Sequence, residues 1–476
     1  MVAKTIILLM RSRTFSMLGI LLLITVAVIS PVVYSGYADL HSAQAAWTGK
    51  KYGDAARLFE SAAMHLVWRS DLWEQAGLAA YYAGDNAETI RLLGIARSKD
   101  SLSSQAWDAF GSAYWNGYDH KTALAIWQDG SAAYPSDAAL YDRLALAYHE
   151  NGDTASEQNV LVKRLSLASD ANAHYQLGLL LTLSDPAGAS KELITAASLD
   201  PKFVPAVQTL RAAIAVSDTE SGPARRFIAI GRGLGLVEEW GLAEKAFEKA
   251  VSADGKNAEA WAWLGEASQQ NGQDGGADLG QALALDPQDA IVHALRGLYW
   301  KRQGNTAQAL AEYLQAAQIE PEDPAWQASI ADAYSQKGDL VSALAAYQKA
   351  TQLASTDAAY WRLLAMFCSD NNLRILDIGL PAAKQAAQLA PNDPPTLDVL
   401  GWSYSNAGLL YTAQQTLSRA IKLAPDLALA HLHLAENYLR QGDRTEAFKE
   451  LNLTVQLEPN GTAGQLAAQI LKQYFP

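Results

Sequence analysis

The chain has 476 residues, half of them hydrophobic, and a formal charge of -13. This acidic balance, with no Lys/Arg cluster beyond the N-terminal tip, excludes nucleic acid as a partner, since binding a phosphate backbone needs a concentrated basic face. A single cysteine, Cys368, excludes an internal disulfide and any multi-cysteine metal site, and its apolar setting, "RLLAMFCSD", predicts a buried, inert thiol.

The N-terminus comes first. No charged residue occurs from Thr14 to Tyr34 ("TFSMLGILLLITVAVISPVVY"), a span long enough to cross a bilayer as a helix. Lys4, Arg11 and Arg13 precede it, and the first acid is Asp39. The positive-inside rule then predicts a single-pass anchor in the cell membrane, residues 1–35, with the remaining chain extracytoplasmic. The alternative is a signal peptide with its apolar region at Met17–Ser30 and cleavage near Gly36–Ala38, which would release a secreted protein. In a eukaryotic source the same anchor would hold a cytosol-facing domain on an organelle.

After the anchor the sequence repeats with a period of 34 residues. Trp73 and Trp107, Gly77 and Gly111, Gly304 and Gly338, Ala309 and Ala343, and Pro391, Pro425 and Pro459 all keep that step. One unit shows the logic. Trp107, Phe110, Gly111 and Tyr114 form an apolar stripe on a first helix, where Gly111 lets a neighbour approach closely. "NGYDHK" is a turn, and Ala123, Trp127 and Gly130 mark the inner face of a second, antiparallel helix that Pro135 ends.

These motifs resemble the tetratricopeptide repeat (TPR). About twelve units begin near residues 36, 70, 104, 138, 171, 224, 258, 290, 324, 358, 394 and 428. The resemblance implies an all-α fold, a right-handed superhelix (an α-solenoid) of helix-turn-helix repeats, preceded by the one transmembrane or signal helix. The units fall into an N-terminal array at 36–203 and a C-terminal array at 227–461. Between them, 204–226 reads as an irregular helix and a polar linker, and 462–476 as a capping helix with Leu466, Ile470, Leu471 and Tyr474 on its inner face. Three units depart from the template: the one near 171 is a residue short, the one near 258 has a loose "NGQDGGADLG" turn, and the one near 358 carries an insertion at "NNLRILDIGLP".

No reaction centre emerges. A phosphate loop is absent, and "GRGLGL" at Gly231–Leu236 has no strand before it. His431 and His433 have a spacing that points their rings to different helix faces, so no metal is expected, and His431 stands at a core position. Asn452 and Asn460 match the glycosylation pattern. The chain is read as a non-enzyme without a cofactor.

The resemblance implies binding along a groove lined by first helices, at places 2, 5, 9, 12 and 13 of a unit when Trp107 is place 4. The Lys/Asn clamp of chaperone-docking members is missing, because places 5 and 9 hold Glu74, Asp108, Asp142 and Leu78, Ser112, Leu146. Place 12 holds Trp47, Tyr81, Trp115 and His149. These rings either form a ladder for an extended peptide or polysaccharide, or pack between repeats. In the C-terminal array the candidates are Lys301, Arg302, Trp402 and Arg440. The expected function is a membrane-tethered scaffold for protein or peptide partners in envelope assembly or secretion. The alternative is a polysaccharide-handling factor that binds glycan or recruits a glycosyltransferase.

Overall fold

A computed structural model of the protein describes residues 30–475, and every regular element among them is helical. Of the expected anchor stretch Thr14–Tyr34, residues 14–29 lie outside the described residues, and no helix among those described is long and apolar enough to cross a membrane. The chain divides into two compact units, one up to Ile214 and one from Ala215.

The first unit is a run of antiparallel pairs. Helix α1 covers 30–48 and pairs with α2 (Tyr52–His65). The next pairs are α3 and α4 (Asp71–Tyr82, Asn86–Lys99), α5 and α6 (Ser104–Asn116, His120–Ala133), α7 and α8 (Ala138–Glu150, Thr154–Leu167), and α9 and α10 (Ala171–Leu181, Pro186–Leu199). The division between units falls inside α11 (Val204–Thr219). The second unit continues with α12 and α13 (Pro223–Leu236, Trp240–Ala253), α14 and α15 (Ala258–Gln270, Gly276–Leu285), α16 and α17 (Ala290–Arg302, Thr306–Ile319), and α18 and α19 (Pro324–Gln336, Leu340–Leu353). It ends with α20 and α21 (Ala358–Asp370, Leu380–Leu389), α22 and α23 (Pro394–Asn406, Leu410–Leu423), α24 and α25 (Ala428–Gln441, Arg444–Leu457), and α26 (Thr462–Tyr474).

Each pair closes on a small residue. A Cβ placed on Gly111 in α5 would stand 2.2 Å from Nε1 of Trp127 in α6, so only glycine admits that indole. Trp127 is almost fully buried there and donates through Nε1 to the Asp108 carbonyl at 3.3 Å. Turns are set by short acceptors: the Asp119 carboxylate receives the Thr122 N–H at 3.1 Å, and the Asp137 carboxylate receives that of Ala139 at 2.9 Å.

Place 4 carries a second constraint. Trp261, Trp361 and Tyr141 donate to the carbonyls of Gly255, Ser355 and Pro135, six residues earlier, at 3.0, 2.9 and 3.2 Å. His293 and His431 reach Pro287 and Pro425 in the same way, each at 3.0 Å. In these five repeats the position holds a ring with a polar nitrogen or hydroxyl that fastens the first helix to the turn entering it, whereas Phe227, Gln327 and Leu397 fill it elsewhere.

Successive first helices touch directly, α3 on α5 and α5 on α7, then α12 on α14 and α14 on α16, and later α20 on α22 and α22 on α24. Second helices make broad contact only with the first helices beside them or, for α25, with α26. The first helices thus form the inner row of each unit.

Three expectations change. The "NGQDGG" turn is tight, because a Cβ on Gly275 would collide with the Gly265 carbonyl oxygen at 1.9 Å, so the two backbones touch. The linker after α11 shrinks to 220–222, since Pro223, whose fixed φ and missing N–H suit a first helical position, starts α12 earlier than 227. In α26 the face turned toward Leu432 and Leu451 is Ala463, Ala467, Ile470 and Leu471, whereas Leu466 and Tyr474 are exposed. Small alanines let this helix sit close, and the larger side chains point away.

Gly111→Ala should destabilise the first unit by about 1–3 kcal/mol through overpacking against Trp127. Gly53→Ala, on a helix with nothing within 4 Å of the new methyl, should stabilise it by about 0.5–1 kcal/mol. Urea unfolding followed by circular dichroism checks the pair, and equal midpoints would remove the close-approach argument.

Candidate functional site

In the first unit the place-12 residues are engaged by other neighbours. Trp47 meets Tyr52 and Tyr82 edge-on, each at 5.5 Å between ring centres, and Tyr81 meets Tyr82 at 5.7 Å. Trp115 lies face to face with His120 at 3.9 Å and leans on Trp127 at 5.6 Å. His149 brings Nδ1 to 3.1 Å from Oε1 of the buried Glu157. The run of ring contacts that links Trp47 through Tyr82 to Tyr81 does not continue to Trp115. The expected ladder is therefore broken, because the last turn of a first helix faces the start of its own second helix, where His120 covers one face of Trp115. These residues do not present the row of open ring faces on which a sugar chain would lie.

A cleft of about 850 Å³ opens on the second-helix side, between α2 and α4. Its prominent charges are satisfied internally, with Arg91 held by Glu60 and Glu88 and Arg57 paired with Asp54.

In the second unit the basic candidates are tied down. Arg302 forms a fork on Glu266 of the preceding repeat, at 2.7 and 2.6 Å, and that carboxylate is nearly buried. Lys301 reaches Asp332 of the following repeat at 2.5 Å. These two pairs join opposite charges on successive repeats and hold their register.

Trp402 is the centre of a different arrangement. It is 8% exposed, with His433 stacked on it at 4.5 Å and the Arg440 guanidinium 4.7 Å from its ring centre. Arg440 also donates to the Ser405 hydroxyl at 3.4 Å. Trp402 is therefore covered by its own repeats and is no open platform. His433 places Nδ1 2.8 Å from the Asp398 carboxylate, and both side chains are buried. Burial alone would lower the His433 pKa, but the charge and hydrogen bond of Asp398 outweigh it and the value is raised. His431 is likewise raised, burial being overcome by Glu450 at 2.6 Å and the Pro425 carbonyl.

Two carboxylates border this cluster, and the sequence reading missed both. Asp370 ends α20 at place 13, and Glu436 stands at place 9 of α24. Packing around Asp370, which still opens to solvent, pushes its carboxyl above the ordinary range, against the pull of His433 and of the Trp402 N–H. Burial does the same for Glu436, against His433 and Arg440, and Asp370 reinforces it. Among the described residues neither has an ion-pair partner within 4 Å. The signal was available in the sequence: the groove places that hold Arg302, Gln336, Asn406 and Arg440 elsewhere hold an acid at 370.

Residues 268–324 and 301–367 match family models described as tetratricopeptide repeat. Across 268–367 the repeats are tetratricopeptide repeats. The all-α TPR scaffold is an architecture suited to protein–protein interaction. No curated protein matches the sequence. Similar solved structures include the APC/C hetero-tetramer Cut9–Hcn1, at 15% identity and TM-score 0.41, covering 94% of this chain and 99% of that one. Yeast Tom70 is similar at 15% identity and TM-score 0.41, covering 92% and 95%. MamA from Desulfovibrio magneticus RS-1 is similar at 20% identity and TM-score 0.31, covering 36% and 95%.

The raised histidines set a pH dependence. Their contribution is complete below the ordinary imidazole value of about 6.5 and is lost as pH rises through the higher folded value. Thermal melts should therefore show the second unit losing stability from neutral to mildly alkaline pH. His433→Ala, which strands the buried Asp398 carboxylate, should cost about 3–5 kcal/mol. Arg440→Ala, at an exposed pair, should cost less than about 1 kcal/mol. Similar costs for the two variants would contradict the buried-pair assignment.

Proposed function

We propose that this TPR protein is a membrane-tethered scaffold, held by the apolar stretch Thr14–Tyr34, whose inner rows grip extended segments of protein partners in envelope assembly or secretion. The second unit prefers a segment that carries a basic side chain. One observation carries that preference: Asp370 and Glu436 face the same cluster with carboxyls raised despite His433 and Arg440 nearby, and neither has an ion pair within 4 Å, while Glu266 and Asp332 in the same inner row are already matched. A lysine or arginine between Asp370 and Glu436 would offset the burial of both carboxylates. The reading is one of binding, with no chemical step.

The test uses labelled peptide pools that share degenerate flanks and fix the central residue as Lys, Arg, norleucine or Glu. Fluorescence anisotropy at pH 7.5 should show the basic pools binding about tenfold tighter than the norleucine pool, a difference of about 1.4 kcal/mol. Asp370→Asn with Glu436→Gln should abolish that difference and leave the norleucine pool unchanged. A basic preference that survives the double substitution would place the recognition elsewhere, and equal binding of all pools would end the proposal.

A further inference from the structure

The start of the first unit carries an apolar rim that the repeat packing does not use. On α1, Val32, Tyr34 and Tyr37 are 45%, 77% and 50% exposed; at the end of α2 and in the following turn, Met64, Val67 and Trp68 are 56%, 79% and 55% exposed. These two segments are neighbours. A Cβ on Gly36 would lie 2.7 Å from Leu66 Cγ and 2.8 Å from His65 Cβ, and Val33 packs on the cluster that contains Leu66. Asp39 of α1 accepts from Ser61 of α2 at 2.7 Å. Beside the rim Arg69 pairs with Asp71 at 2.7 Å, and the His65 ring lies 3.4 Å from Asp39. The rim itself is therefore aromatic and aliphatic.

Its position in the chain says what covers it. Val32 and Tyr34 are the last residues of the uncharged stretch Thr14–Tyr34, so that stretch runs directly into the rim. The stretch has no polar face. Folded back on the rim it would cover one side and leave its other side in water, whereas a bilayer covers both. Tyrosine and tryptophan, with an apolar body and a polar tip, are the side chains that settle at the boundary between lipid and water. We propose that the rim formed by Val32, Tyr34, Tyr37, Met64, Val67 and Trp68 rests in the interfacial layer of the membrane, so that the first helix pair sits on the bilayer instead of hanging from a free tether. The proposal rests on the membrane-tether reading and adds a lipid-contacting surface to it.

The full chain reconstituted in phosphatidylcholine vesicles gives the test. Cys368 is fully buried, so a nitroxide on Val67→Cys is the only accessible label. Lys121→Cys, exposed at the edge where first helices end and second helices begin, is the control. Spin-label collision measurements should show the Val67 label favouring oxygen over an aqueous nickel chelate by several-fold, with the opposite order at Lys121. A Val67 label as open to nickel as the control, on chains that still float with vesicles, overturns the docking and leaves the tether standing. Failure to float removes the tether and the docking with it. A Val67 label shielded from both oxygen and nickel means that protein covers the rim, a folded-back segment or a second copy, and overturns the lipid assignment.

Discussion

The crossing of helix pairs over a glycine or alanine governs this molecule. Where α5 meets α6 the space that a methyl would take at Gly111 is filled by Trp127, and where α22 meets α23 Leu417 fills the same space at Gly401. Tyr313 over Gly297 and Phe247 over Gly231 repeat the arrangement with other shapes. Because the two helices close on that point, their remaining faces are committed. One side of the first helix turns to the next first helix, and the second helix is left to the outside. The inner row, and every candidate contact on it, follows from that commitment.

Along the inner row, electrostatics then divides the second unit. At Arg302–Glu266 and Lys301–Asp332 opposite charges sit on successive repeats and satisfy each other, which fixes register at little cost in solvation. Around Trp402 the balance fails. One buried His–Asp pair and one stacked guanidinium stand beside two carboxylates that the fold partly desolvates and does not match. A repeat protein gains little from leaving such groups unpaired, since replacing them with neutral side chains would relieve the burial.

The helix pairs were readable in the sequence because they depend on local size and spacing: a glycine, a large side chain sixteen places on, an aspartate at the turn. The surroundings of a groove residue were not. Place 12 fixes where Trp115 leaves the backbone, yet His120, five residues later in sequence, decides that one of its faces is covered. Trp402 looked like an open ring until His433 and Arg440 from the next repeat closed on it. The cap helix was misjudged for a related reason, since large residues were assigned to the inner face and the close approach of α26 selects Ala463 and Ala467 instead. In each case the deciding partner belongs to another helix, and the 34-residue period alone does not reveal which side chain it supplies.

The insertion after α20 has one more effect. Its five-residue π-helical segment, Ile375–Gly379, lays Gly379 against Cys368, with a Cβ there only 2.8 Å from the cysteine's own. Burial pushes the thiol pKa up to about 11. An oxidising compartment therefore finds no accessible thiol on the folded chain, and refolding there involves no choice among disulfide partners. The sulfur becomes reactive only when α20 parts from that inserted turn, so its rate of alkylation is a built-in clock for the opening of a single repeat.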